Sequence, residues 1–336
     1  MPEIHGHRGA RALRPENTLP GLAYALSLGV DAIEFDVTLT ADGGLILAHD
    51  LIVEATTILD TGPAVSGDPL FPYVGKPWRS LTLKQIATLD AGDRRPPAPY
   101  ADTFTPIPGT AVPTLDEVCS LVSDPAARPV TLAVELKSNP SWPDADVREL
   151  TWAAIDTLAR HRLTGRARIL GFDWRVLRAA ADIAPDVPRV ALVEALTWAP
   201  GSAWLAGLDP ADYGADGADG PAGADEPDAA YGADGADGAA GAGAAARGGE
   251  AGLAAAARDI GAAWLSPPDY LTSAALVAAA HDAGLRVAVW TVNEPARMTE
   301  LTEMCADAIV TDRPDLLGDG LAGAWTADSP PRDTGE

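Results

Sequence analysis

The six residues Ala32-Ile33-Glu34-Phe35-Asp36-Val37 alternate apolar and acidic side chains. Successive side chains of an extended strand point to opposite faces, so Glu34 and Asp36 share one face. Working outward, the run 3–7 precedes this strand, and a helical pattern over 19–28, entered through Asn17 and Thr18, lies between them. Beyond it, the turn Asp42-Gly43-Gly44 leads into 45–49, which reads as the second arm of a hairpin. Further short apolar runs follow at 130–136, 168–172, 189–193, 263–265, 286–290 and 308–310. Helical patterns separate most of them, notably 144–161, 174–183, 273–283 and 294–304.

Without the hairpin arm this makes eight β-then-α units, which predicts a parallel sheet closed as a (β/α)8 TIM barrel. A doubly wound open sheet would require a Gly-rich phosphate loop after the first strand, and His7-Arg8-Gly9-Ala10 does not supply one. The barrel is expected over 1–320, with 321–336 as a flexible tail. Residues 60–113 are Pro-rich around one short helix (82–89) and read as an inserted loop region over one barrel end. Residues 209–252 repeat Tyr-Gly-Ala-Asp-Gly-Ala-Asp-Gly from Tyr213 and from Tyr231. That segment has almost no large apolar side chains to offset ordering entropy, so an acidic, mobile loop is expected.

Composition narrows the partners. The 336 residues carry a formal charge of −24, which repels nucleic acid and anionic lipid and argues against stable membrane association. Cys119 and Cys305 stand in no metal-ligand spacing and are expected as free thiols. No secretory signal precedes the first strand and no apolar run approaches the ~20 residues of a membrane span, so a cytoplasmic location is expected. Nothing in the sequence sets the oligomeric state.

Catalytic groups of such barrels sit at the C-terminal ends of the strands. Here those ends carry His7-Arg8, Glu34 with Asp36, His49-Asp50, and Glu135 with Lys137. Three carboxylates converging in a barrel mouth repel one another unless a cation sits between them, and hard oxygen ligands select Mg²⁺ or Ca²⁺. The bland alternative, acids paired with nearby arginines, would serve for one pair but not for three groups on successive strands. His7 and His49 bring groups whose charge changes near neutral pH. His161 and His281 fall on helices, and His5 shares a face with His7 as a packing residue. Only three lysines occur in the chain, at 76, 84 and 137, and Lys137 beside Glu135 suggests a point-charge contact to an anion.

Taken in order, His7-Arg8-Gly9, Glu16-Asn17-Thr18, Glu34-Phe35-Asp36-Val37, Thr40-Ala41-Asp42-Gly43, His49-Asp50, Glu135-Leu136-Lys137, Val289-Trp290-Thr291-Val292-Asn293 and Thr311-Asp312-Arg313-Pro314 resemble the glycerophosphodiester phosphodiesterase family. The resemblance implies one divalent cation, Mg²⁺ or Ca²⁺, held by Glu34, Asp36 and Glu135. It also implies His7 and His49 as general acid and base, Arg8 and Lys137 on the phosphate, and Glu16-Asn17 as a supporting motif. Trp290 is either an apolar wall for the substrate or a buried barrel residue, and Asp312 is expected to cap the final turn. The implied reaction takes a small glycerophosphodiester to sn-glycerol 3-phosphate and an alcohol through a cyclic phosphate. A lipid phosphodiesterase of phospholipase C or D type, a non-catalytic phosphodiester binder and a sugar-phosphate isomerase are the rival readings of the same barrel.

Overall fold

The computed structural model describes residues 1–94, 100–123, 129–214 and 249–316. The strands are β1 (Glu3–Gly6), β2 (Ala32–Leu39), β3 (Leu45–Leu47), β4 (Leu59–Asp60), β5 (Leu89–Asp90), β6 (Thr131–Leu136), β7 (Ala167–Gly171), β8 (Arg189–Leu192), β9 (Trp264–Ser266), β10 (Arg286–Val289) and β11 (Ala308–Thr311). The helices are α1 (Leu19–Ser27), α2 (Leu83–Ile86), α3 (Leu115–Val122), α4 (Asp144–Arg160), α5 (Trp174–Ile183), α6 (Glu250–Asp259), α7 (Ala274–Asp282) and α8 (Pro295–Glu303). One sheet runs β1-β11-β10-β9-β8-β7-β6-β2-β3, and β1 also pairs with β2, which closes eight parallel strands into a (β/α)8 barrel. β3 lies antiparallel on β2, with Val37 opposite Leu47, so the expected hairpin is present.

Strand alternation sorts the core into an inner and an outer layer. On β2, Ile33, Phe35, Val37 and Leu39 point outward into one large cluster with α1, α3 and α4. On the opposite side, Leu253, Leu276, Val287 and Ile309 build the matching cluster beneath α6 to α8. Inside the barrel sit Ala133, Leu170, Val190, Leu192, Trp264, Ala288 and Ala308, with Phe172 and Trp290 packed against them. Because β2 is buried on both faces, Glu34 and Asp36 point into the barrel rather than into water.

Side-chain caps set many of the helix starts. Thr18 accepts from the Gly21 amide to open α1, and Thr114 with Glu117 forms a capping box on α3. Ser273 accepts from the Leu276 amide to cap α7, whose helical residues begin one position after the start read from the sequence.

The insertion carries more structure than its composition suggested. β4 and β5 pair antiparallel, and α2 opens on a Thr82–Gln85 capping box. Ile46, Tyr73, Trp78, Leu81, Ile86 and Leu89 form a small separate core between the insertion and β3. Asp60 accepts from the Tyr73 and Val74 amides, and the Tyr73 hydroxyl donates to Asp68. Two-residue strands have no legible period, so only the helix was visible in the sequence.

Both ends of the 209–252 segment also belong to the fold. Residues Pro210–Tyr213 form a 3₁₀ turn, Tyr213 lies beside Trp198, and α6 begins at Glu250. Gly252 sits where a Cβ would come within 2.1 Å of the Tyr213 carbonyl. The remaining stretch, 215–248, and the 321–336 tail lie outside the described residues. Cys119 is buried, Cys305 is exposed, and both are free thiols. Among the described residues no helix is long and apolar enough to cross a membrane.

Toward the N-terminal end of the barrel interior, Arg168 grips both carboxylate oxygens of Glu3, at 2.7 and 3.0 Å, and stacks over Trp264. His5 joins them, 3.0 Å from Glu3, so it is a polar member of this cluster rather than simple packing. Burial opposes the Glu3 charge, but the His5 and Arg168 bonds outweigh it and lower its pKa from 4.5 to about 2. A depressed carboxylate stabilises the fold above its unfolded pKa, and that contribution is lost as pH falls through the folded value. The stability difference between wild type and Glu3→Gln should therefore be constant above about pH 5 and shrink toward pH 2 in urea titrations. A difference that does not change with pH would contradict this assignment.

Candidate functional site

The site begins with backbone geometry. Arg8 and Asn17 both adopt positive φ, 48° and 52°, and Gly9 follows at 89°. Non-glycine residues rarely occupy this region unless their surroundings hold them there. Here the Asn17 amide donates to the Arg8 carbonyl, and the Gly9 amide donates to the Glu34 carbonyl. Gly6 is obligatory for the same turn, because a Cβ there would lie 2.2 Å from the Gly9 carbonyl. The folded turn sets the Arg8 amide 2.8 Å from the Glu34 carboxylate.

Register then assembles the acids. Asp36 pairs with Glu135 and Glu34 with Ala133 across β2 and β6, so the carboxylates of two neighbouring strands face the same interior space. Oxygens of Glu34, Asp36 and Glu135 all lie within 4.8 Å of one another, and all three residues are buried. Lys137 enters this space from the end of β6, its ammonium 3.0 Å from Asp36 and 2.5 Å from Glu135. The Arg8 guanidinium lies 3.3 Å from Asp36 and 2.9 Å from Glu16. Asn17 clasps Asp36 twice: its Nδ2 donates to the carboxylate at 2.8 Å and its Oδ1 accepts from the Asp36 amide at 3.1 Å. Glu16 is shared by Arg8 and Arg11, whose charges hold its carboxyl down at about 2 against the cost of burial.

The charge balance of this cluster is uneven. Burial would raise Asp36, but Lys137, His49 and Arg8 hold it well below the usual carboxylate range. Glu135 is pushed up to about 7, burial outweighing Lys137. Burial, then the Asp36 and Glu135 charges, drive Glu34 well above its ordinary value. Among the described residues the cations paired with these three carboxylates are Lys137 and Arg8, and Arg8 also serves Glu16. An all-oxygen donor set short of positive charge fits a hard divalent cation. The bland reading, acids neutralised by neighbouring bases, accounts for Asp36, whereas among the described residues Glu34 is met by the Arg8 backbone amide and by no ion pair.

Both histidines lie at this mouth. His49 follows β3; its Nδ1 is 3.1 Å from Asp50, and burial with the charges of Arg8 and Lys137 lowers its pKa well below the ordinary value. Burial likewise pushes Asp50 up to about 6. His7 follows β1, its amide held by the Thr311 carbonyl. A small cavity bounded by Glu16, Asn17, His49, Asp50, Ile52 and Trp78 opens between the barrel and the insertion. Trp290 is half-buried, donates its indole N–H to the Ser266 carbonyl at 3.0 Å and stands edge-on to Phe172, making it a member of the inner barrel layer. His161 and His281 pair with Asp116 and Asp307 on the helical periphery.

One residue departs from its expected role. Asp312 does not spend its side chain on the turn before Pro314: its Oδ1 lies 2.6 Å from His7 Nδ1. Its Oδ2 accepts from Tyr100 and Asn293. The missed signal was closure itself. With Gly6 opposite Thr311 across β1 and β11, the next residues are His7 and Asp312. Tyr100 gave no comparable signal, since nothing in a Pro-rich loop says where it will land.

The glycerophosphoryl diester phosphodiesterase family model matches residues 7–214 and 239–316. The chain belongs to that family. A glycerophosphodiester phosphodiesterase of Caldanaerobacter subterraneus subsp. tengcongensis is 30% identical over 185 residues, covering 55% of this chain and 63% of the relative, so the match spans less than two thirds of that protein's length. A structure from Silicibacter pomeroyi DSS-3, named as a candidate glycerophosphoryl diester phosphodiesterase, superposes with a TM-score of 0.73 at 26% identity, covering 96% of this chain and 94% of the other. A phosphodiesterase of Oleispira antarctica, solved with the product sn-glycerol-3-phosphate, shares the fold at a TM-score of 0.62 and 20% identity, over 96% of this chain and 97% of the other. The barrel that gathers Glu34, Asp36 and Glu135 here is thus shared with solved structures from distant sources.

If the acidic cluster takes a divalent cation, binding stabilises the folded state by mass action, about 2.7 kcal/mol at a hundredfold excess over Kd. Mg²⁺ or Ca²⁺ should raise the wild-type melting temperature by several degrees relative to chelator, and Glu34→Gln should lose most of that rise. Equal shifts in the two proteins would place the cation elsewhere.

Proposed function

We propose that this family member hydrolyses small glycerophosphodiesters to sn-glycerol 3-phosphate and an alcohol, with Glu34, Asp36 and Glu135 as ligands of one divalent cation, Mg²⁺ or Ca²⁺. The observation that carries this reading is the convergence of those three buried carboxylates within 4.8 Å, at a mouth that also holds His7 and His49. A cation bound there supplies charge neutralisation for the phosphate and lowers the pKa of a hydroxyl close to it.

The side chains divide the remaining work. Arg8 and Lys137 set positive charge where a phosphate approaches the acids, although in the structure both are already engaged by carboxylates. One imidazole takes the proton from the glycerol hydroxyl next to the ester. That oxygen attacks phosphorus, the bond from phosphorus to the alcohol oxygen breaks, and the other imidazole protonates the departing alkoxide. Water then opens the cyclic phosphate with the imidazole roles reversed, giving glycerol 3-phosphate. Glu16 and Asn17 support this arrangement: Asn17 orients Asp36 and Glu16 orients Arg8. Trp290, edge-on to Phe172 in the inner barrel layer, walls the pocket from that side.

The acidic surface favours a water-soluble substrate over a lipid bilayer. The formal charge of −24 repels anionic headgroups.

The test is release of glycerol 3-phosphate from glycerophosphocholine, with and without chelator, by wild type and His49→Ala. Chelator should abolish turnover, and His49→Ala should lower kcat by at least about a hundredfold. Chelator-resistant turnover or a fully active His49→Ala would overturn the assignment. Faster cleavage of long-chain phospholipid than of the deacylated diester would favour a lipid phosphodiesterase instead.

A further inference from the structure

Barrel closure sets His7 and Asp312, 305 residues apart in the chain, 2.6 Å from each other through Nδ1 and Oδ1. The second carboxylate oxygen is held just as firmly. Asp312 Oδ2 accepts from the Tyr100 hydroxyl at 2.6 Å and from Asn293 Nδ2 at 2.9 Å. Asn293 Nδ2 also donates to the Tyr100 oxygen, while Asn293 Oδ1 accepts from the Asp312 amide and the Thr311 hydroxyl. Asp312 is buried, so these bonds act in a medium where each is strong and where a misplaced carboxylate would be costly.

Tyr100 comes from the insertion rather than from the barrel. Its strip of chain is tied to the loop after β1, the Thr103 hydroxyl donating to the Ala12 carbonyl at 2.8 Å and the Thr105 amide to the Leu13 carbonyl at 3.0 Å. Arg11 of the same loop faces the Tyr100 ring. The insertion therefore reaches across the mouth and fastens the carboxylate that touches His7.

We propose that Asp312 is the positioning residue of His7, holding its imidazole with the proton on Nδ1 and Nε2 directed to proton transfer, and that Tyr100 of the insertion locks Asp312 in that pose. The proposal rests on the reading of His7 as a proton-transfer group. A carboxylate on Nδ1–H fixes tautomer and ring orientation, and it stabilises the imidazolium that forms when Nε2 takes a proton. Tyr100 touches no reacting atom. It acts through Asp312, which gives the insertion a part in catalysis besides covering the barrel.

The experiment compares wild type, His7→Gln, Asp312→Asn and Tyr100→Phe on glycerophosphocholine with saturating divalent cation. Long-range ¹H–¹⁵N NMR reads the His7 tautomer, the His7→Gln spectrum identifying its signals. We expect wild-type His7 as the Nδ1–H form. Asp312→Asn should lower kcat by about 10²–10⁴-fold with KM little changed and should raise the Nε2–H population. Tyr100→Phe should lower kcat about tenfold at unchanged KM, the loss of one hydrogen bond to a charged group. If His7→Gln turns over like wild type, the reading of His7 falls and takes the proposal with it. If His7→Gln is inactive while Asp312→Asn and Tyr100→Phe keep wild-type kcat and tautomer, the positioning role falls alone. Should Asp312→Asn fail to fold, Tyr100→Phe decides: an unchanged kcat rejects the lock.

Discussion

Concentrated negative charge inside the barrel mouth is the constraint around which the rest of the site is arranged. Glu34, Asp36 and Glu135 are buried within 4.8 Å of one another, where unpaired charge is expensive. Each surrounding feature answers part of that cost. Lys137 is spent on Asp36 and Glu135, Arg8 is divided between Asp36 and Glu16, and Asn17 aims its amide at Asp36. Even the positive φ of Arg8 belongs here, since it turns that amide toward Glu34. Glu34 is compensated least, by the Arg8 amide, and a divalent cation among three oxygen ligands would compensate it further.

The fold makes this tolerable because the cluster occupies the inner layer of a closed sheet. The outward residues of β2 carry the hydrophobic burial, and the inward ones are released for chemistry. The apolar layer of Leu170, Leu192, Ala288 and their neighbours lies below the acids, and the Glu3–His5–Arg168 group lies toward the opposite pole. Two charged clusters thus share one barrel. The lower one is internally paired, and the upper one is left short of positive charge.

The insertion packs against the parts of the barrel that carry both histidines. Its small core around Tyr73 and Trp78 packs on β3, the strand that leads into His49, and Trp78 bounds the cavity beside His49 and Asp50. Its later part carries Tyr100 to Asp312. One segment therefore bears on both histidines.

The sequence alone determined the barrel, because alternation along each strand and the recurrence of β-then-α units are local properties with a fixed period. It also determined that Glu34 and Asp36 share a face, since i and i+2 on one strand do so whatever the strand packs against. The two histidines were legible as chemistry at strand ends. Tertiary structure decided what depends on contacts distant in sequence. The Asp36–Glu135 register, the capture of Lys137 by carboxylates and the inner-layer place of Trp290 are set by neighbours on other strands. Asp312 looked like a turn residue because its partner is at the other end of the chain, and only closure of β11 on β1 makes them neighbours. Tyr100 had no periodic pattern to mark it, because the docking of an irregular loop is decided by the surface it meets.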